Sequence, residues 1–123
     1  RSLKRPPHGS KCATLTKGCL AGTGICFISH TGDVFPCGYL PVSSGNITRM
    51  PFGQIWGGSP VFEALRDPQR LLGKCGVCTF KRLCSGCRAR AYAASGNFLE
   101  EEPCCAYTPP APHPGVLSAC PAW

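Results

Sequence analysis

The amino-acid sequence predicts a small, irregular α+β domain built around thiolate sites. A chain of 123 residues has room for one modest hydrophobic core. Its 15 glycines and 13 prolines favour turns over long regular elements. Its 11 cysteines include C-x2-C pairs, a spacing that lets two thiolates reach one metal or cluster at a tight turn. Such sites stabilise a scaffold whose core is small.

The first predicted element is a β-hairpin in "GICFISHTGDVFPCGYLPV", residues 24–42. Strand-forming residues stand on both sides of a turn at Thr31–Asp33: Ile25 and Phe27 before it, Val34 and Tyr39 after it. Gly32 suits a turn position with positive φ. The sequence "SSGNITRM" that follows is predicted to be a loop.

Two or three short helices are expected after this loop. The first is an amphipathic turn carrying Phe52, Ile55 and Trp56, which we expect to pack in the core. The second is capped by Ser59, has Pro60 at its first position and ends at Asp67–Pro68. Its predicted core residues are Phe62, Leu65, Leu71 and Leu72. The third is "CRARAYAASG", which begins at Cys87 and stops at Gly96.

The predicted domain occupies residues 19–109. Residues 1–18 are basic and irregular, which is typical of a linker that enters from an upstream domain. Residues 110–123 are proline-rich and predicted to be disordered. No internal repeat or second domain is visible.

The four-cysteine segment, residues 75–87, has the spacing C-x2-C-x5-C-x2-C. Zinc ribbons separate their pairs by about 15–20 residues, and the bacterial ferredoxin run orders its cysteines differently. Together with Cys19, Cys26, Cys37 and the Cys104–Cys105 pair, the segment supplies enough thiols for two four-thiolate sites. The odd count and tight pairs favour metal or cluster ligation over a disulfide framework or free thiols.

The formal charge of +7 suggests an anionic partner such as nucleic acid. A four-thiolate site with a zinc ion or a dicationic cluster carries about −2, because each thiol loses a proton. Two such sites would reduce +7 to about +3. Nucleic acid is therefore not the expected partner.

The full pattern resembles the SPASM family: Cys19-x12-Gly32-x4-Cys37, then the four-cysteine segment, then a final cysteine. In that family the domain follows a radical S-adenosylmethionine barrel and carries auxiliary [4Fe–4S] clusters. The segments "TKGCLAGTGICFISHTGDVFPCGYLPVSSGNI", "SPVFEALRDP" and "GCRARAYAASG" are similar to the branch that makes haem b by the sirohaem-dependent route. The last pair is x2 here, where x3 is usual.

The resemblance implies two [4Fe–4S] clusters. The ligands of the first would be Cys19, Cys26, Cys37 and Cys87. The ligands of the second would be Cys75, Cys78, Cys84 and Cys105, with Cys104 as the alternative to Cys105.

The resemblance also implies a C-terminal auxiliary-cluster domain in an enzyme that decarboxylates two propionates of Fe-coproporphyrin III, with a cluster as electron acceptor. S-adenosylmethionine and a third cluster are expected in the N-terminal barrel, because no three cysteines here have the C-x3-C-x2-C spacing. This chain alone should therefore be inactive. Implied partners are the barrel, the porphyrin and an electron-transfer protein. Reduced thiols indicate the cytoplasm, and no membrane partner is expected.

Three alternatives stay open. One is a sister enzyme that removes porphyrin acetate side chains, or a peptide-modifying member of the family. Another is a zinc-binding module for nucleic acid. The third is a disulfide-rich secreted module.

A few polar residues have both a structural and a functional interpretation. Arg88 and Arg90 could bind cluster sulfurs or a substrate carboxylate, but the alanine-rich helix favours a solvent-facing position for both. The "LEEEP" stretch is predicted to be a solvated acidic loop, and His30 a surface residue beside the hairpin turn.

Overall fold

A three-stranded antiparallel sheet and four short helices make up the computed structural model, which describes residues 17–110. The strands are β1 (Phe27–Ile28), β2 (Asp33–Phe35) and β3 (Gly45–Asn46). The helices are α1 (Phe52–Gly58), α2 (Pro60–Arg66), α3 (Gly73–Val77) and α4 (Arg88–Ser95). The predicted small, irregular α+β class is confirmed. Nearly all of the predicted tail and of the predicted linker, with Cys12 and Cys120, lies outside the described residues.

The sheet contains the predicted hairpin and one further strand. Phe27 pairs with Phe35 across β1 and β2, and Gly32 has a φ of 87° in the turn between them. β3 joins the other edge of β2, where the side-chain amide of Asn46 donates to Asp33 Oδ1 at 2.9 Å. The prediction of a loop is therefore wrong for Gly45 and Asn46, which form β3. Tyr39, predicted to be a strand residue, lies outside the strands and is 88% exposed.

The hydrophobic core lies where α1 and α2 pack against the sheet. It consists of Val34, Leu40, Ile55, Phe62 and Leu65. The rings of Trp56 and Phe62 meet edge to face at 5.2 Å, and the Arg66 guanidinium lies 4.7 Å from the Trp56 ring centroid. The core prediction is confirmed for Ile55, Phe62 and Leu65. It is wrong for Phe52 and Leu72, whose side chains are exposed, whereas Leu71 is buried as predicted.

Helix boundaries follow the predicted local signals. α2 begins at Pro60 and ends at Arg66, before Asp67, whose extended backbone (ψ 98°) precedes Pro68. Ser59 occupies the position before the helix, but the predicted cap is wrong, because its side chain makes no capping hydrogen bond. α4 follows Cys87 and ends at Gly96, which has a φ of 77°. α3 was not predicted, because its five residues include Gly73 and Gly76 and carry no helical pattern. None of the helices between residues 17 and 110 is long and apolar enough to cross a membrane.

Candidate functional site

A cavity of about 530 Å³ lies between the N-terminal turn, the four-cysteine segment and the loop after α4. Eight of the 21 residues that line it are cysteines. They are Cys19, Cys37, Cys75, Cys78, Cys84, Cys87, Cys104 and Cys105.

Backbone hydrogen bonds bring the first cysteines to this cavity. Gly18 N–H donates to Leu83 O at 2.6 Å, and Cys19 N–H donates to Cys84 O at 3.1 Å. These bonds place Cys19 beside the four-cysteine segment. Gly22 N–H donates to Pro36 O at 3.2 Å, which joins the turn after Cys19 to the residue before Cys37.

Two residues in left-handed backbone conformation reverse the chain between Cys84 and Cys87. Ser85 has a φ of 58° and Gly86 a φ of 61°. A Cβ atom at Gly86 would lie 2.6 Å from Arg88 Nη2 and 2.9 Å from the Glu102 Cβ. The x2 spacing thus produces a sharp turn that directs both flanking cysteines to the cavity, and only glycine fits its second position.

Glu102 connects the four-cysteine segment to the final cysteine pair. Its carboxylate is buried and accepts the N–H groups of Cys87 at 2.7 Å and Cys104 at 3.0 Å. Arg90 Nε lies 2.9 Å from Glu102 Oε1. Burial raises the pKa of Glu102, but the N–H donors of Cys104 and Cys87 together with Arg90 outweigh burial and leave the pKa below its usual value. The predicted solvated loop is therefore wrong for Glu102.

The sulfur of Cys75 accepts two N–H donors. Cys75 is the buried thiol among the nine described cysteines. Glu102 N lies 3.3 Å from its Sγ atom, and Arg88 Nη2 lies 3.5 Å from it. Cys78 Sγ accepts the Phe80 N–H at 3.4 Å. The predicted solvent-facing position is wrong for Arg88, which is buried, and correct for the exposed Arg90.

Lys74 ties the final cysteine pair to α3. Its Nζ atom donates to Cys105 O at 2.6 Å, and its backbone N–H donates to Glu101 Oε2 at 2.8 Å. The loop that carries Cys104 and Cys105 is thus held by both α3 and the Glu102 carboxylate.

The donor set fits a polynuclear cluster. All nine cysteines in the described part are free, so their thiols are available as ligands. Within residues 17–110, no three Cys, His, Asp or Glu side chains are close enough together to hold one metal ion. The thiols instead surround a space, and Cys thiolates around a shared inorganic core are the usual ligands of iron–sulfur clusters.

The predicted ligands are not all in equivalent places. Seven of the eight line the cavity; Cys26 does not, and packs beside the hydrophobic core. Cys104 and Cys105 both line the cavity, so its geometry does not distinguish between them. The division into two ligand sets stays a prediction. His30 is exposed on the hairpin turn, away from the cavity wall.

Sequence reasoning missed Glu102, and for Arg88 it favoured a solvent-facing position over a hydrogen bond to cluster sulfur. A signal was present for both, because Arg88 directly follows one cysteine and Glu102 lies two residues before another. Residues next to ligands commonly donate or accept hydrogen bonds around a metal site.

The fold and cavity define a small cysteine-rich domain with eight free cysteines around one cavity. Comparison with protein-family models matches residues 19–88 to SPASM, described as an iron–sulfur cluster-binding domain. The chain belongs to the SPASM family. This assignment favours iron–sulfur binding over the zinc and disulfide alternatives.

Similar curated proteins are longer enzymes. An AdoMet-dependent heme synthase from Methanosarcina barkeri is 63% identical over 102 residues, which cover 83% of this chain and 29% of the relative. The enzyme of the same name from Nitratidesulfovibrio vulgaris is 53% identical over 77% of this chain and 26% of its own length. A pre-heme d1 synthase from Dinoroseobacter shibae is 35% identical over 74% of this chain and 24% of its own. The chain thus spans less than a third of these relatives.

Proposed function

We propose that this chain is the auxiliary-cluster domain of a radical S-adenosylmethionine enzyme that makes haem. The thiol-walled cavity is the observation that carries the proposal, since it supplies a cluster site in a chain of the SPASM family. The haem-forming activity is supported by identities of 63% and 53% to proteins named AdoMet-dependent heme synthase, against 35% to the pre-heme d1 synthase. In this proposal residues 19–109 form the domain and residues 1–18 the linker to a barrel.

Two [4Fe–4S] clusters are proposed at the cavity. The first would be held by Cys19, Cys26, Cys37 and Cys87, and the second by Cys75, Cys78, Cys84 and Cys105. Two observations support adjacent sites whose ligands alternate along the chain. They are the backbone hydrogen bond from Cys19 to Cys84 and the left-handed turn before Cys87. Cys26 would have to turn towards the cavity from its place beside the core.

A bound auxiliary cluster would supply a one-electron acceptor for the oxidative decarboxylation of Fe-coproporphyrin III propionates. The residues of this chain would bury the cluster and set its surroundings. Cys75 is the buried thiol among the described cysteines and accepts two N–H donors. Enclosure and hydrogen bonds to sulfur are the protein's means of setting a cluster's reduction potential.

The cluster proposal is tested by anaerobic reconstitution of the 123-residue chain with iron and sulfide. We expect brown protein with roughly eight irons per chain. Cys105→Ser should lower the content to about four, whereas Cys104→Ser should leave it unchanged. The reverse pattern would assign the ligand to Cys104. Colourless protein with about two zinc ions would contradict the proposal.

The haem proposal is tested with a chimera. The matching segment of the Methanosarcina barkeri enzyme is replaced by this chain, and haem formation from Fe-coproporphyrin III and S-adenosylmethionine is measured. We expect activity, and none from a control chimera that carries the Dinoroseobacter shibae segment. Cys75→Ala and Cys78→Ala together should abolish haem formation while 5′-deoxyadenosine is still produced. Undiminished haem formation by that double variant would refute the acceptor role.

A further inference from the structure

Arg88 is the largest fully buried side chain of the described residues, at 2% exposure. It is the first residue of α4 and directly follows Cys87. A guanidinium stays protonated in proteins, so this position buries a full positive charge. Such burial is costly unless negative charge or several acceptors compensate it.

The hydrogen bonds of Arg88 go mainly to the loop after α4. Its Nη1 atom donates to Phe98 O at 3.1 Å and to Glu100 O at 2.7 Å, and its Nε atom to Gly86 O at 3.4 Å. Carbonyl oxygens carry partial charges only. Within residues 17–110 one ion pair is formed, and it joins Arg90 to Glu102. No carboxylate oxygen of the described residues therefore lies within ion-pair distance of Arg88.

The remaining donor, Nη2, lies 3.5 Å from Cys75 Sγ. This sulfur is buried and also accepts the Glu102 N–H at 3.3 Å. Two donors, one of them cationic, fit an anionic sulfur better than a neutral thiol. Cluster ligation requires the thiolate, so the buried cation and the ligand suit each other.

We propose that Arg88 is the counter-ion of the Cys75 thiolate and raises the reduction potential of the cluster bound there. The inference rests on the proposed second cluster site. A cation and an N–H donor at a ligand sulfur stabilise the reduced cluster, which carries one more negative charge, more than the oxidised one. Arg88 is thus a positioning residue, which acts on the cluster through Cys75.

The test is a redox titration of the reconstituted chain, with midpoints followed by visible absorption and electron paramagnetic resonance. Arg88→Met is compared with Arg88→Lys, which keeps the charge, and with Arg82→Met. Arg82 is exposed in the same cysteine-rich segment, so its replacement removes one charge where water screens it. We expect one of two midpoints to become more negative in Arg88→Met, to shift less in Arg88→Lys, and to stay unchanged in Arg82→Met.

Loss of about half the iron in Arg88→Met, with full iron in Arg88→Lys, would also support the counter-ion role. Full iron and unchanged midpoints in Arg88→Met would overturn it. So would equal iron loss in both Arg88 variants, because charge would then not be what Arg88 supplies. If the unsubstituted chain binds no iron, or binds four irons that Cys75→Ala does not remove, the proposed second site fails, and that outcome is read before the Arg88 variants are compared.

Discussion

Ser85 and Gly86 show how single residues set the direction of the cysteine side chains. A left-handed conformation costs a non-glycine residue about 1–2 kcal/mol. Ser85 adopts it nevertheless, and its hydroxyl donates to Lys81 O at 2.9 Å. No residue with a side chain fits in place of Gly86, because its Cβ atom would clash with both Arg88 and Glu102.

Gly86→Ala should therefore damage the site. We expect the free energy of unfolding of the reconstituted chain to fall by at least about 1–2 kcal/mol, with loss of iron. The measurement is anaerobic denaturation with iron analysis. Gly57→Ala in α1 is the matched control, since no atom lies within 4 Å of the added Cβ. The free energy of unfolding of that control should rise by about 0.5–1 kcal/mol. Equal stability and equal iron content of the two variants would contradict the role of the turn.

Among single residues, the cysteines of the site were predictable, whereas the residues that hydrogen-bond to them were not. Cysteine spacing is local, so Cys75, Cys78, Cys84 and Cys87 could be singled out from the sequence. The burial of Arg88 depends on a loop that starts ten residues later, and helix pattern alone places it in solvent.

Helix α2 supports the turn that follows Cys19. The Phe62 ring lies against Gly22, where an added Cβ would be 2.8 Å from the ring, and Arg66 Nε donates to Gly22 O at 2.8 Å. α2 therefore connects the hydrophobic core to the turn beside the proposed first cluster site.

Phe62→Ala should destabilise the chain by about 3–5 kcal/mol, because it empties a fully enclosed position. Phe62 is 0% exposed, while Phe52 on the neighbouring helix is 41% exposed. Phe52→Ala, the control, should cost less than about 1 kcal/mol, since its ring is already half solvated. Urea denaturation of both reconstituted variants checks the difference, and similar losses would refute the supporting role of α2.

The elements that could be predicted are those with signals close in sequence. α2 is bounded by Ser59, Pro60 and Asp67–Pro68, and its limits followed from them. β3 is only Gly45 and Asn46, which form a strand because they pair with Asp33 and Val34. That pairing is a tertiary contact, which a turn-like sequence conceals.

On the scale of the whole molecule, the hydrophobic core is small beside the thiol-lined cavity. Five buried residues form the core cluster, and the cavity volume is about 530 Å³. Small metal-binding domains take much of their folding free energy from the bound metal, and we expect the same of this domain.

Removal of the proposed clusters should therefore unfold most of the chain. Chelation under reducing conditions is expected to abolish the cooperative urea transition and the dispersion of amide proton signals, and reconstitution should restore both. The measurements are circular dichroism and two-dimensional NMR of the same sample. A cooperative transition in the metal-free chain would show that the polypeptide folds without its cofactor.

The backbone hydrogen bond between Cys19 and Cys84 limits how the domain can be divided or transferred. It joins the beginning of the domain to the middle of the four-cysteine segment, and Glu102 joins that segment to the end. No cut between these points leaves a piece with a complete cavity wall. The whole domain must therefore be inherited, exchanged or engineered as one piece.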